Sequence, residues 1–241
     1  MTNKFRKWSQ RFSIFPLARS RSNESPVFGT ALIDLPRRNQ SNVPDFVKKC
    51  IECIENHHVK TNIYGKAGQH SKIQSLKSEV DKGNLDSLTK ISDIHTLTGA
   101  FKQFFRELPE PVISGNIANE LLNALSSDDE GLKIFQISNI LMQMNLTHQE
   151  TLIFLIQHLK KVIKNDKEIS NFKNLAIIFA PNLMMKPPED LQLTMHLRKQ
   201  QRILQSLLQH ADLFVPQRGS LTNPLPRRRT SRPVSQLHWE D

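Results

Sequence analysis

The chain has 241 residues, of which 38% are hydrophobic, and it carries 33 Lys and Arg against 23 Asp and Glu. This length suffices for one domain with a sizeable core plus flanking segments. No apolar run reaches the roughly 18 residues of a membrane span, and the N-terminus lacks the apolar segment of a secretion signal. We therefore expect a cytoplasmic protein that is at most peripheral to membranes.

The excess positive charge lies at the two ends. Residues 1–27 hold six cations and one carboxylate, and residues 216–241 hold five cations and two carboxylates. The segment between them is nearly balanced, whereas nucleic-acid-binding folds usually present a broad basic face, so no nucleic-acid partner is expected. Both ends are predicted to be disordered basic arms around a domain of residues 28–215. For residues 1–27, three interpretations stay open: a tether, a patch for an anionic membrane surface, or an organelle transit peptide.

The first helix is predicted just after Pro44, because proline is tolerated at the start of a helix. Apolar side chains then repeat at helical spacing at Phe46, Val47, Cys50, Ile51 and Ile54. Cys50 and Cys53 form a lone C-x-x-C pair without a second ligand pair, and Cys50 falls on the apolar stripe. We predict a packing role for this thiol, and neither a metal site nor a cofactor.

The rest of the central segment is also helical in pattern. A T-x-x-E sequence at Thr147 and Glu150 predicts a capping box that starts a long helix, and no alternating pattern indicates a strand. The fold class is therefore all-α, a multi-helix bundle. His148 and His158, which lack evident partners in the sequence, are interpreted as ordinary surface or core-edge residues. Further helices are predicted near residues 71–81, 94–107, 117–125, 134–144, 172–179 and 191–213.

The segment 97–111 has the clearest division of faces. On a helical wheel one side is apolar and mostly aromatic, formed by Leu97, Phe101, Phe104, Phe105 and Leu108. Lys102 and Arg106 lie one turn apart away from that face, and prolines at 109 and 111 end the helix. On charge alone, these cations form either a solvated helix edge or a surface for a partner protein.

Several segments together resemble the Rho GTPase-activating (RhoGAP) domain over residues 28 to about 214. The most specific is F-R-E-L-P-E-P at residues 105–111, where Phe105 replaces the leucine of the family pattern. The resemblance implies a helical domain that docks on GTP-loaded Rho-, Rac- or Cdc42-like GTPases, whose GTP and Mg²⁺ belong to the partner. The other matching segments are residues 28–32, 43–51, 63–64, 80–83, 93–95, 101–102 and 174–183.

The resemblance also implies particular contact residues. Lys102 and Arg106 correspond to a lysine and an arginine that fix the GTPase and the catalytic loop. Asn174 corresponds to an asparagine of that contact set, and Asn182 is a second contact candidate. The position of the arginine that the family inserts into the GTPase site falls on Gly65.

Gly65 decides how much of the family's activity to expect. Without a guanidinium at this position, the resemblance implies weak or no GTPase activation. The sequence has no P-loop, H-E-x-x-H or nucleophile-elbow pattern, so we expect no enzyme site of its own. The neighbouring Lys66 is a candidate contact but lacks the bidentate fork of arginine. Two alternatives stay open. One is an active GTPase activator that uses a substitute group such as Lys60 or Lys66, or that needs no such group. The other is an adaptor or membrane-surface protein that acts through its basic arms.

Overall fold

A computed structural model describes residues 26–38, 41–58, 61–165, 172–185 and 192–214. The predicted basic arms therefore lie outside the described residues, apart from residues 26 and 27. Within the described ranges the regular structure is helical, with short 3₁₀ turns at Leu32–Asp34 and Leu85–Lys90. The helices are α1 (Asp45–Asn56), α2 (His70–Asp81), α3 (Ile94–Arg106), α4 (Gly115–Ala124), α5 (Glu130–Gln143), α6 (Leu146–Asn165), α7 (Phe172–Leu183), α8 (Leu193–Gln209) and α9 (Ala211–Phe214).

The aromatic face of α3 forms the centre of the core, as the sequence predicts. Phe101, Phe104 and Phe105 are each at most 1% exposed. The ring of Phe104 lies 4.7 Å from that of Phe46 on α1 and 5.8 Å from that of Phe28, centroid to centroid. These rings join α3, α1 and the start of the fold into one apolar cluster, which fixes the position of α3 for the site described below.

Two backbone hydrogen bonds to one carboxylate fix the start of the described domain. The N–H groups of Val27 and Phe28 donate to Oδ1 of Asp81, at 2.7 and 2.9 Å. Val27 and Phe28 are both buried, so Val27, assigned by sequence to the arm, already packs in the core. Asp81 is the last residue of α2, and it ties this entry segment to α2.

The start of α6 differs from the prediction. The helix begins at Leu146, and the cap is Asn145, whose Oδ1 accepts a hydrogen bond from the N–H of Thr147 at 2.9 Å. Thr147 and Glu150 serve tertiary contacts instead. Thr147 Oγ1 accepts from the Arg37 guanidinium at 2.6 Å, and Glu150 accepts from the Asn42 carboxamide at 2.9 Å. Residues distant in sequence thus hydrogen-bond to the two side chains that a local capping box would require.

Helix α7 packs between α3 and α8 and connects the site to the C-terminal part of the fold. Just before α4, the N–H of Ile113 donates to the carbonyl of Leu183 at 2.9 Å, next to an isolated parallel bridge between Ile113 and Met184.

Among the described helices, none is both long and apolar enough to cross a bilayer.

Candidate functional site

The loop between α1 and α2 makes a tight turn immediately before Gly65. Asn62 has a φ of +50°, and its carbonyl accepts a hydrogen bond from the N–H of Gly65 at 3.2 Å. Asparagine is one of the few residues other than glycine that enter this left-handed region at low cost. The turn leaves Gly65 and Lys66 exposed, while Ile63 and Tyr64 point into the core.

Helix α3 holds this loop by two consecutive carbonyl groups. The hydroxyl of Thr98 donates to the carbonyl of Ile63, and the ammonium of Lys102 donates to the carbonyl of Tyr64, both at 2.9 Å. Thr98 and Lys102 are four residues apart and therefore lie one above the other on the same helix face. The backbone is thus fixed on α3 up to the residue that precedes Gly65.

A chain of hydrogen-bonded polar side chains from α6 and α1 also holds this loop. The buried hydroxyl of Tyr64 lies 2.7 Å from Nε2 of His158 on α6, whose Nδ1 lies 2.9 Å from Oε1 of Glu55 on α1. Lys161 donates to Oε2 of Glu55 at 2.9 Å. The hydrogen bond from His158, and next that from Lys161, lower the pKa of Glu55 to about 2. With Glu55 ionised, Nδ1 of His158 donates to its carboxylate, and the hydroxyl of Tyr64 is the hydrogen-bond partner of Nε2.

Burial raises the pKa of Tyr64 well above its usual value, so this hydroxyl stays protonated. The tyrosine ring packs edge-on against Phe179 of α7, with centroids 4.8 Å apart. Tyr64 therefore links the loop to α3, α6 and α7 at once. Because three helices hold this one residue, through its backbone carbonyl, its hydroxyl and its ring, the loop is well anchored next to Gly65.

The two cations of α3 lie in different environments. Lys102 is half-buried beside the loop, and burial, followed by the charge of Arg106, lowers its pKa. Arg106 is exposed one turn further along the helix. A partly desolvated ammonium beside a second cation is electrostatically unfavourable in the isolated protein, and an incoming anionic group would relieve it.

The two candidate asparagines of α7 are placed differently. Asn174 is exposed near the start of the helix, on an element that packs against α3. Asn182 is only 8% exposed, and its Nδ2 donates to the carbonyl of Ile178 at 2.6 Å. The Asn182 amide is therefore used within α7, in the turn that contains Pro181.

The glycines of the loop occupy different surroundings. A Cβ built on Gly65 would lie 1.8 Å from Oδ1 of Asn62, so any larger residue requires the Asn62 side chain to rotate away. A Cβ on Gly68 would lie 2.3 Å from the carbonyl oxygen of His95, which belongs to the backbone of α3 and cannot rotate away. Gly68 thus allows the loop to return closely against α3.

Comparisons with known proteins show the family to which this fold belongs. The family model for the RhoGAP domain matches residues 44–188. This chain belongs to the RhoGAP domain family. It is 35% identical over 186 residues to mouse Rho GTPase-activating protein 12, covering 76% of this chain but 22% of that protein. It is also 35% identical over 175 residues to GTPase-activating protein rrc-1 of Caenorhabditis elegans, covering 70% of this chain and 23% of that protein.

The RhoGAP fold is also supported by a solved structure. The crystal structure of human Rho GTPase activating protein 15 superposes with a TM-score of 0.71 at 29% identity, covering 80% of this chain and 93% of that one. The present chain spans less than a quarter of the length of the two relatives above. The all-α prediction is therefore confirmed, and the RhoGAP resemblance is confirmed at the level of the family.

Sequence reasoning missed the polar chain that holds the RhoGAP loop. His158 is 1% exposed, so its interpretation as an ordinary surface or core-edge residue is wrong. A signal was present, because His158 lies on the same buried stripe of α6 as Leu155 and Val162, at spacings of three and four residues. A histidine on such a stripe needs a polar partner, and the partners Tyr64 and Glu55 lie in other elements.

No part of the RhoGAP domain that the structure describes holds a group of three or more His, Cys, Asp or Glu suited to a metal ion. Cys50 is fully buried on α1, and burial raises its pKa well above the usual value. A neutral buried thiol packs as a small apolar group, which agrees with the packing role predicted for it.

Proposed function

We propose that this RhoGAP domain docks on Rho-family GTPases in their GTP-bound state and accelerates their GTP hydrolysis only weakly. The observation that carries the proposal is the arrangement around Gly65: a loop held by Lys102, next to the exposed Arg106, presents a glycine where the family resemblance places an arginine. In this proposal the groups that bind the GTPase are retained, and the group that would complete the GTPase active site is missing.

The docking part of the proposal depends on the cations of α3. Lys102 already uses one N–H to hold the loop, and an ammonium has two further donors for an anionic group on the GTPase. Arg106 offers a planar, permanently charged fork one turn away. In this proposal Asn174 contacts the partner from α7, Asn182 supports that helix end from within, and Lys66 adds a peripheral charge contact.

The weak catalysis follows from the chemistry of phosphoryl transfer. Negative charge develops on the transferred oxygens and the leaving group, and an arginine supplied in trans stabilises both. Such an arginine is worth roughly 10³ to 10⁵ in rate, or about 4 to 7 kcal/mol of activation free energy. Gly65 supplies no charge, and the single ammonium of Lys66 lacks the bidentate geometry. The GTP and the Mg²⁺ belong to the partner in this proposal.

The test is binding of the full chain to Rho-, Rac- and Cdc42-type GTPases loaded with either GDP or a non-hydrolysable GTP analogue. We expect at least tenfold tighter binding to one or more of the analogue-loaded forms. Equal affinity for both nucleotide states, or binding to neither, would contradict the docking proposal. Rapid phosphate release from many GTPase molecules by substoichiometric protein would instead show an active GTPase activator.

A further inference from the structure

A basic groove between α4 and α8 lies on a part of the molecule that the proposed docking surface does not use. Its volume is about 490 Å³. Helix α8 contributes Met195, Arg198, Lys199 and Arg202, which are spaced i, i+3, i+4 and i+7 and therefore form one stripe. The cations thus point along a single line into the groove.

The opposite wall comes from α4 and the turn after it. It contains Asn119, Leu122, Asn123 and Ser126, at the same i, i+3, i+4 and i+7 spacing. The carboxamides of Asn119 and Asn123 supply neutral N–H donors on this wall. Among the described residues that line the groove there are three cations and no carboxylate, so the lining attracts an anion.

One of the three cations is fixed in place by the fold. Nη2 of Arg202 donates to the carbonyl of Leu125 at 2.6 Å, at the C-terminal end of α4. A guanidinium bound in this way has lost part of its conformational freedom before a ligand arrives, which lowers the entropic cost of binding. Arg198 and Lys199 are exposed one turn earlier on the same stripe.

We propose that this groove binds the phosphate headgroup of an anionic membrane lipid. The apolar groups beside the cations favour a lipid over an acidic peptide. Met195 is 44% exposed on the cationic stripe, and Leu122 is half-buried across from it. Apolar side chains next to exposed cations match the boundary between headgroups and acyl chains, where each cation near an anionic surface contributes a favourable charge term.

The proposal is tested by vesicle binding of the full chain. The vesicles contain phosphatidylcholine with phosphatidylserine and a phosphorylated phosphatidylinositol, and phosphatidylcholine alone serves as the blank. The double variant Arg198→Gln with Lys199→Gln is compared with Lys72→Gln and Lys90→Gln, a pair of exposed lysines on α2 and the second 3₁₀ turn. Residues 1–27 are present in every variant, so their contribution cancels in the ratio of affinities.

We expect the groove variant to bind anionic vesicles about 25-fold more weakly, at about fivefold for each cation removed, while the control pair changes less than twofold. Equal losses of vesicle affinity in the two double variants would show that only net charge matters and would overturn the proposal. Unchanged binding by the groove variant, or no vesicle binding by the native chain, would overturn it as well. So would groove-dependent binding of a soluble phosphoserine peptide without any vesicle binding.

Discussion

The ammonium of Lys102 donates a hydrogen bond to the carbonyl of Tyr64, at 2.9 Å, and Gly65 is the next residue. This bond joins the cationic edge of α3 to the loop on which the family resemblance implies a catalytic arginine. Two sequence segments that are separated by helix α2 are therefore in direct contact. A partner that contacts Lys102 therefore contacts the same side chain that holds the loop at Tyr64.

The contribution of Arg106 to docking is tested by Arg106→Ala. Because this guanidinium is exposed at the predicted contact surface, its removal is expected to weaken binding to the GTP-loaded partner at least tenfold, or about 1.4 kcal/mol. The measurement is titration calorimetry. Arg38→Ala is the control, since Arg38 is an exposed arginine that pairs with Asp45 near α1. Equal losses in the two variants would show a general charge effect and contradict the assignment.

The hydroxyl of Tyr64 is tested by Tyr64→Phe. The ring contact with Phe179 remains, but Nε2 of His158 loses its hydrogen-bond partner inside the core. We expect the free energy of unfolding to fall by about 1 to 3 kcal/mol, the cost of a buried polar group without a partner. Urea denaturation measures the change. A loss below a few tenths of a kcal/mol would mean that the bond contributes little to holding the loop.

The charge of Glu55 gives a prediction about acid stability. Its pKa falls from 4.5 to about 2 in the folded protein, so its ionised form stabilises the fold above pH 4.5, and that contribution is lost as the pH falls toward 2. Glu55→Gln is expected to cost about 1 kcal/mol at neutral pH, because the group is only partly buried. The difference between native chain and variant, measured by urea denaturation, should shrink below pH 4.5. A difference that is independent of pH would contradict this role.

The close return of the loop against α3 is tested by two glycine substitutions. Gly68→Ala places a Cβ against the carbonyl oxygen of His95, and we expect a loss of about 1 to 3 kcal/mol in unfolding free energy. Gly115→Ala is the control, because no atom lies within 4 Å of the added Cβ at the start of α4. This control is expected to gain about 0.4 to 1 kcal/mol from reduced freedom of the unfolded chain. Equal effects at both positions would contradict the packing argument.

The sequence predicts the parts of this fold that depend on local periodicity. The aromatic face of α3 is readable because Phe101, Phe104 and Phe105 repeat at helical spacing, and all three are buried. The start of α6 was predicted wrongly because Thr147 contacts Arg37, which is distant in sequence. Local patterns carry no information about such partners.

The candidate site also combines residues that the sequence indicates with contacts that only the structure shows. The helical wheel indicates Lys102 and the family resemblance indicates Gly65 as candidate site residues, but the bond that connects their segments needs the three-dimensional structure. The link from Tyr64 through His158 to Glu55 joins the loop to two helices, α6 and α1. A single sequence does not indicate which buried polar groups satisfy one another across such separations.

The proposed loss of the arginine is tested by restoring it with room for its side chain. Gly65→Arg alone requires the Asn62 side chain to move, because Oδ1 of Asn62 occupies the space of the new Cβ. Asn62→Gly removes that obstacle and suits the φ of +50° at this position. The double variant is therefore expected to activate more strongly than Gly65→Arg alone, and Asn62→Gly alone should remain as weak as the native chain.

The decisive measurement is single-turnover phosphate release from a GTP-loaded Rho-family GTPase that binds the native chain. We expect the native chain to accelerate release little, and the double variant Asn62→Gly with Gly65→Arg to accelerate it by roughly 10³-fold or more at matched occupancy. Strong acceleration by the native chain, with no further gain in the double variant, would show that another group replaces the arginine and would contradict the proposed function.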